Sequence, residues 1–229
     1  MSVLTPEAWQ AVALSLRVSV WATLVSLPVA ILVALLLARG HFWGKSLLNG
    51  LVHLPLILPP VVTGYMLLIL FGRRGPIGSV LAEVGIVFAF NWTGAALAAG
   101  VMAFPLMVRA IRLSIEAVDP RLEEAAGTLG ASRIATFAVV TLPLIVPGIL
   151  AGAILAFAKA MGEFGATITF VSNIPGRTQT LPSAIYAFLQ VPGEEGAALS
   201  LVAVSVAISM GALIASEILA ARIARRIGR

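Results

Sequence analysis

The chain has 229 residues, 60% of them hydrophobic and only 11% charged, with a formal net charge of +5. Soluble domains run nearer half apolar and a quarter charged, so this is the composition of an all-α polytopic membrane protein, expected to form one transmembrane domain over residues 1–229. With no cysteine, disulfides, thiolate metal sites and cysteine nucleophiles are excluded, and His41 and His53 lie far from any carboxylate cluster, so no metal site is expected.

Five runs are apolar and long enough to cross about 30 Å of hydrocarbon, which takes roughly twenty residues each. The first, Ala11–Ala38, is too long for a cleavable signal peptide and no cleavage site follows it. Arg17, near its start, can snorkel to the interface. The loop Gly40-His41-Phe42-Trp43-Gly44-Lys45-Ser46 resembles a phosphate-binding loop but has three residues between its glycines where that motif needs four, so no nucleotide site is expected. The second run, Leu47–Phe71, holds Pro55, Pro59 and Pro60 and cannot be a straight helix. A turn-rich segment with a short helix at Ser79–Val84 leads to the third run, Trp92–Val108. The fourth is Leu142–Ala160 and the fifth Ala197–Ala221. Between them Gly162–Gly196 is too broken to span, although Pro182–Gln190 reads as a helix lying at or dipping into the membrane. Pro28, Pro105 and Pro147 are further expected interruptions.

Positive charge sets the direction of the bundle. Arg39 and Lys45, then Arg109, Arg112, Arg121 and Arg133, then Arg222, Arg225, Arg226 and Arg229 all fall on one side of a five-span bundle. That side is expected to be cytoplasmic, which puts the N-terminus in the periplasm and the C-terminus in the cytoplasm. Arg73 and Arg74 run mildly against the rule. Arginines beside apolar runs are explained by orientation, and no nucleic-acid partner is expected. Two stripes of small residues, Gly148-Gly152-Ala156-Ala160 and Ala203-Ala207-Gly211-Ala215, are expected to pack helices within one subunit, with a dimer contact as the alternative.

The most informative stretch is the polar loop at about 113–141. A charged, glycine-broken segment between two membrane-length runs must project into water. Asp119 can cap a first helix with Pro120 at its first position. Leu122, Ala125, Ala126 and Leu129 then form a small apolar face, and Gly130 sits where a left-handed residue would end it. A second helix is expected from about Ser132 to Val140, with Pro143 starting the next span.

Glu124-Ala125-Ala126, three residues, Gly130, nine residues, Val140, any residue, Leu142-Pro143 resembles the EAA loop of ABC importer permeases, with Val140 where that family usually has Ile. The resemblance implies the type I importer (MetI-like) permease fold. It also implies that Leu122, Glu123, Glu124, Ala125, Ala126, Gly130, Val140, Leu142 and Pro143 form the element that docks on a cytoplasmic ATPase. The segments His53–Tyr65 and Gly162–Gly176, with Phe71–Gly75 and Ala103–Arg112 between them, resemble molybdate permeases. That implies a homodimer, two ATPase subunits that hold the ATP and Mg, a periplasmic molybdate-binding protein, and no cofactor on this chain. Sulfate, thiosulfate or tungstate is the alternative cargo. A stand-alone carrier or channel is the alternative class, but neither inverted repeats nor a line of intramembrane charges is visible.

Among the spans only Lys159 and Glu163 form a charged pair, four residues apart on one expected helical face. The main reading is mutual neutralisation. The sharper one is a gate latch, with Pro59, Pro60, Phe164 and Gly165 as neighbouring pathway residues. The chain carries no Ser-His-Asp set, carboxylate pair or metal cluster, so it is not expected to be an enzyme.

Overall fold

The computed structural model describes residues 5–227, with side chains at 213, 216, 217 and 219–227 outside the description. The expected cytoplasmic arginines at 222, 225, 226 and 229 therefore lie outside the described side chains. Every regular element among the described residues is helical.

Helix α1 (Pro6–Arg39) starts where Thr5 Oγ1 accepts from Ala8 N at 3.2 Å and Pro6 takes the first helical position. It runs alongside α5 (Trp92–Glu116), and cluster membership gives the direction. Val18 and Ala22 pack with Ala95 and Ala98 near the start of α5, whereas Leu37 packs with Ile111 and Ile115 near its end. The two helices are therefore parallel, and the chain between them must cross back.

It does so as a broken span. Helices α2 (Lys45–Ile57) and α3 (Pro60–Phe71) meet at a bend of 115°. A proline pushes the residue before it out of the helical region. Leu58 before Pro59 has ψ 144° and Pro59 before Pro60 has ψ 136°, so two residues in a row are extended. Arg112 Nη1 donates to Asn49 Oδ1 at 3.1 Å, tying the start of α2 to the end of α5. Leu67, near the end of α3, packs instead with Ala95 at the other end of the bundle. Pro28, Pro55, Pro105 and Pro147, expected to interrupt spans, all stay inside continuous helices.

The expected start of the fourth span at Pro143 is corrected. Helix α7 (Arg133–Thr136), a π-helical turn (Phe137–Thr141) and α8 (Leu142–Met161) form one rod of 29 residues. Leu142 N donates to Phe137 O, five residues back. Proline lacks a donor, and a turn already widened just before Pro143 loses least by it, so the helix continues.

Helix α5 is the buried axis. Glycines of α8 admit it closely: a Cβ on Gly148 would collide with Ser114, and one on Gly152 would sit 3.1 Å from Met107 O. The first small-residue stripe is thus packing within the subunit. The second is not. Ala203, Ala207, Gly211 and Ala215 of α11 (Glu195–Ile227) are exposed, because α11 packs through Leu201, Val204 and Ile208 instead.

At the end that holds the start of α1 lie α4 (Gly78–Glu83), α9 (Gly165–Val171) and α10 (Leu181–Leu189), the first and last close to the expected short helices. Ser15 Oγ of α1 accepts from Leu181 N at 2.6 Å and caps α10. Arg17 does not simply snorkel; its guanidinium stacks 3.8 Å over the Trp92 ring.

Candidate functional site

The loop between α5 and α8 lies at the end opposite the start of α1. Helix α6 (Pro120–Thr128) begins as expected: Asp119 Oδ1 accepts from Arg121 N at 3.0 Å. It ends in a Schellman motif. Ala131 N donates to Ala126 O at 3.1 Å and Gly130 N to Gly127 O at 3.0 Å, with Gly130 at φ +86°. Ser132 Oγ then accepts from Ala135 N at 3.3 Å to open α7.

No residue of α6 is buried. Leu122 is 48% exposed and Leu129 just beyond it 88%, with Glu124 and Ala125 exposed and Ala126 half-buried. The apolar face read from the sequence therefore looks outward and is unfilled by the described residues. Ile134 of α7 and Val139 of the π-helical turn are also exposed. Sequence periodicity singled out neither, because both lie beyond the turn at Gly130 and outside the repeat of α6. Val140, Leu142 and Pro143 do not share this face. They lie in the π-helical turn and the first turn of α8, where Leu142 packs against the cluster of Leu37 and Ile145.

Glu123 also points elsewhere. Its Oε1 accepts from Thr141 Oγ1 at 2.8 Å and pairs with Arg39 Nη2 at 3.3 Å. Arg39 Nη2 also lies 3.4 Å from Ile115 O and 3.3 Å from Val118 O, at the end of α5. Sequence reasoning took Arg39 only as an orientation signal and did not single out Thr141. The partners are 84 and 18 residues from Glu123, beyond any local spacing rule.

At the far end Lys159 Nζ donates to Glu163 Oε2 at 2.9 Å, and Glu163 is only 2% exposed. The two were expected on one helical face, but α8 stops at Met161 and the pair closes over its end. The other oxygen, Oε1, accepts from Ala166 N at 3.0 Å in the first turn of α9. Two bonds thus satisfy a buried carboxylate, which would otherwise be costly. Phe164 packs on Tyr186 with ring centroids 5.3 Å apart. A Cβ on Gly165 would lie 2.7 Å from Pro60 Cβ, and one on Gly64 would lie 2.5 Å from Ala166 O. Pro60, Glu163, Phe164 and Gly165 are therefore brought together where α3 crosses α9, directly after the break at Pro59.

Four long apolar helices and one bent pair, with an exposed, apolar-faced loop helix at one end, make the fold of a multi-pass membrane subunit. The chain belongs to the family of binding-protein-dependent transport system inner membrane components, which matches residues 26–228. Its fold is that of type I ABC importer permeases, and it is a multi-pass membrane protein. It is 58% identical over 228 residues to the molybdenum transport system permease protein ModB of Escherichia coli strain K12, covering 99% of this chain and 100% of that protein. Against ModB of Haemophilus influenzae the identity is 54% over 220 residues, 96% of each. Among solved structures, a chain of a bacterial ABC transporter involved in import of the acidic polysaccharide alginate superposes with a TM-score of 0.72 at 20% identity, over 98% of this chain and 81% of that one.

Proposed function

We propose that this chain is the permease subunit of an ATP-driven importer that carries molybdate across the cytoplasmic membrane by alternating access. Two copies form the path. Two ATPase subunits, which hold the ATP and Mg, dock on the outward face of α6 and its continuation at Ile134, and a periplasmic binding protein delivers the anion. The observation that carries the coupling role is a capped helix with an unfilled apolar face at the water-exposed end of the bundle. A stand-alone carrier would leave that face without a partner. The cargo is supported by identity above one half, over essentially the full length, to proteins of molybdenum transport.

Selectivity belongs to the binding protein on this reading, since the charged pair in the spans is already committed to itself. Deleting the gene is expected to abolish molybdate-dependent enzyme activity at trace molybdate and to leave sulfate uptake unchanged. A strain with impaired sulfate uptake and normal molybdoenzymes moves the chain to the sulfate or thiosulfate alternative. Uptake assays with tungstate against molybdate separate those two oxyanions.

The orientation that accompanies this reading puts α6 in the cytoplasm, with Arg39, Arg112 and Arg121 on the same side. Single cysteines in this cysteine-free chain test it directly. In intact spheroplasts an impermeant thiol reagent is expected to label Ser2→Cys and spare Gly228→Cys, both outside the described residues. The reverse pattern overturns the orientation.

A further inference from the structure

Helix α6 buries no residue, and only Glu123 and Ala126 of it are half-buried, so little packing holds it to the bundle. It is joined to the spans by two short connections, 117–119 and 129–132. Among the described residues, Glu123 makes the only side-chain hydrogen bonds from α6 to another element. Its Oε1 meets Thr141 Oγ1 at 2.8 Å and Arg39 Nη2 at 3.3 Å, and that same nitrogen lies 3.3 Å from Val118 O. One oxygen and one nitrogen thereby link four places: the foot of α1, the end of α5, the docking helix, and the π-helical turn that leads into α8.

We propose that Glu123, Thr141 and Arg39 are positioning residues that transmit movement of the docked helix to α1 and α8, as a polar bracket across the base of the bundle. Three observations support this. The bonds to Glu123 involve an ionised acceptor, the stronger kind. Thr141 is 3% exposed, so it cannot touch a partner subunit and can act only through Glu123. It also sits in the one π-helical turn among the described residues, a geometry found frequently at functional sites. The bracket runs in parallel with the two short connections, so that a pull on α6 shifts α8 as one body with it. This inference rests on the reading of α6 as the ATPase-docking element.

The buried threonine allows a test that leaves the docking face untouched. The full complex, with its ATPase in proteoliposomes and molybdate-loaded binding protein added, is compared for wild type, Thr141→Val, Thr141→Ser and Glu123→Gln. Valine keeps the shape and removes the hydroxyl; serine restores it. Thr141→Val is expected to retain the ATPase through detergent purification and to keep basal hydrolysis. Stimulation by loaded binding protein, and molybdate moved per ATP, should each fall about tenfold or more, the scale of losing a hydrogen bond to a charged group. Thr141→Ser should recover most of both, and Glu123→Gln, which keeps an acceptor for Thr141 but not the charge opposite Arg39, should fall between.

Wild-type stimulation and stoichiometry in Thr141→Val overturn the bracket. Equal impairment in the valine and serine variants overturns it too, because packing and not the bond would then matter. Loss of bound ATPase from Thr141→Val also counts against it, since the bracket would be shaping the docking face rather than carrying load. Failure of the docking reading itself shows separately, as full ATPase retention and stimulation when Glu124 is reversed to lysine.

Discussion

Gly130→Val is expected to abolish transport while the membrane bundle stays folded. Gly130 has φ +86°, and a Cβ built there meets nothing within 4 Å. The penalty is therefore conformational and not steric, about 1–2 kcal/mol for a residue with a Cβ and more for a β-branched one. None of that energy is set against a span. It acts on the Schellman turn, where Ala131 N and Gly130 N satisfy the last carbonyls of α6. Once the turn is lost, the end of α6 and the chain that follows it toward α7 no longer keep their relative direction. The measurable result is a complex that inserts and extracts normally, releases its ATPase in detergent, and shows no hydrolysis stimulated by loaded binding protein. Gly130→Asn, which tolerates the left-handed region, should recover a substantial part. Glu124→Lys should act in the same direction more mildly. Retention of the ATPase with full stimulation in Gly130→Val would remove the docking assignment.

At the other end a large effect is expected from Gly64→Ala and Gly165→Ala. A single methyl at Gly64 falls 2.5 Å from Ala166 O and 2.9 Å from Thr169 Cβ, and one at Gly165 falls 2.7 Å from the Pro60 ring. Backbone and a proline ring cannot yield as a flexible side chain does, so α3 and α9 must separate. Overpacking of this kind costs about 1–3 kcal/mol, occasionally more, at each position. The thermal midpoint of the purified permease should fall clearly for each variant. Gly162→Ala is the matched control: its Cβ would meet nothing nearer than 3.9 Å. Equal midpoints for all three would mean that the crossing is looser than these distances require.

Both tests probe features of different legibility. The two ends of α6 could be read from Asp119, Pro120 and Gly130 because capping is local: each residue acts on groups within a few positions of itself. The five crossings were legible for a similar reason, since a membrane demands long apolar runs. What escaped the sequence depends on distance. Periodicity placed Glu123 beside Glu124 on one helix, but it could not show that, among the described residues, Arg39 and Thr141 wait for the first and no side chain for the second. The α11 stripe failed for the opposite reason. Four-residue spacing finds small residues wherever they occur, and only the packing partner decides which of them are used. In α8 that partner is α5; in α11 the packing ran along Leu201, Val204 and Ile208. The rod from Arg133 to Met161 shows a further limit, because a proline read as a boundary was absorbed by a widened turn.

The central position of α5 has a consequence for how the protein is made. Its most apolar stretch has a mean hydropathy of 1.7, against 2.5 for α1 and 2.3 for the rod containing α8. Alanine and glycine, not leucine, fill it, and they suit a neighbour better than they suit lipid. Leaving the ribosome, α5 can settle at once along α1, whose residues Val18 to Leu37 are already in the bilayer. Its other flank stays open until Gly148 and Gly152 have been synthesised and brought alongside Ser114 and Met107. In the interval the nascent chain carries a half-covered helix of modest lipophilicity, followed by the whole polar loop. Completion of this subunit in the membrane therefore waits on the fourth crossing, and a chain truncated before residue 148 would lack the helix that closes α5 in.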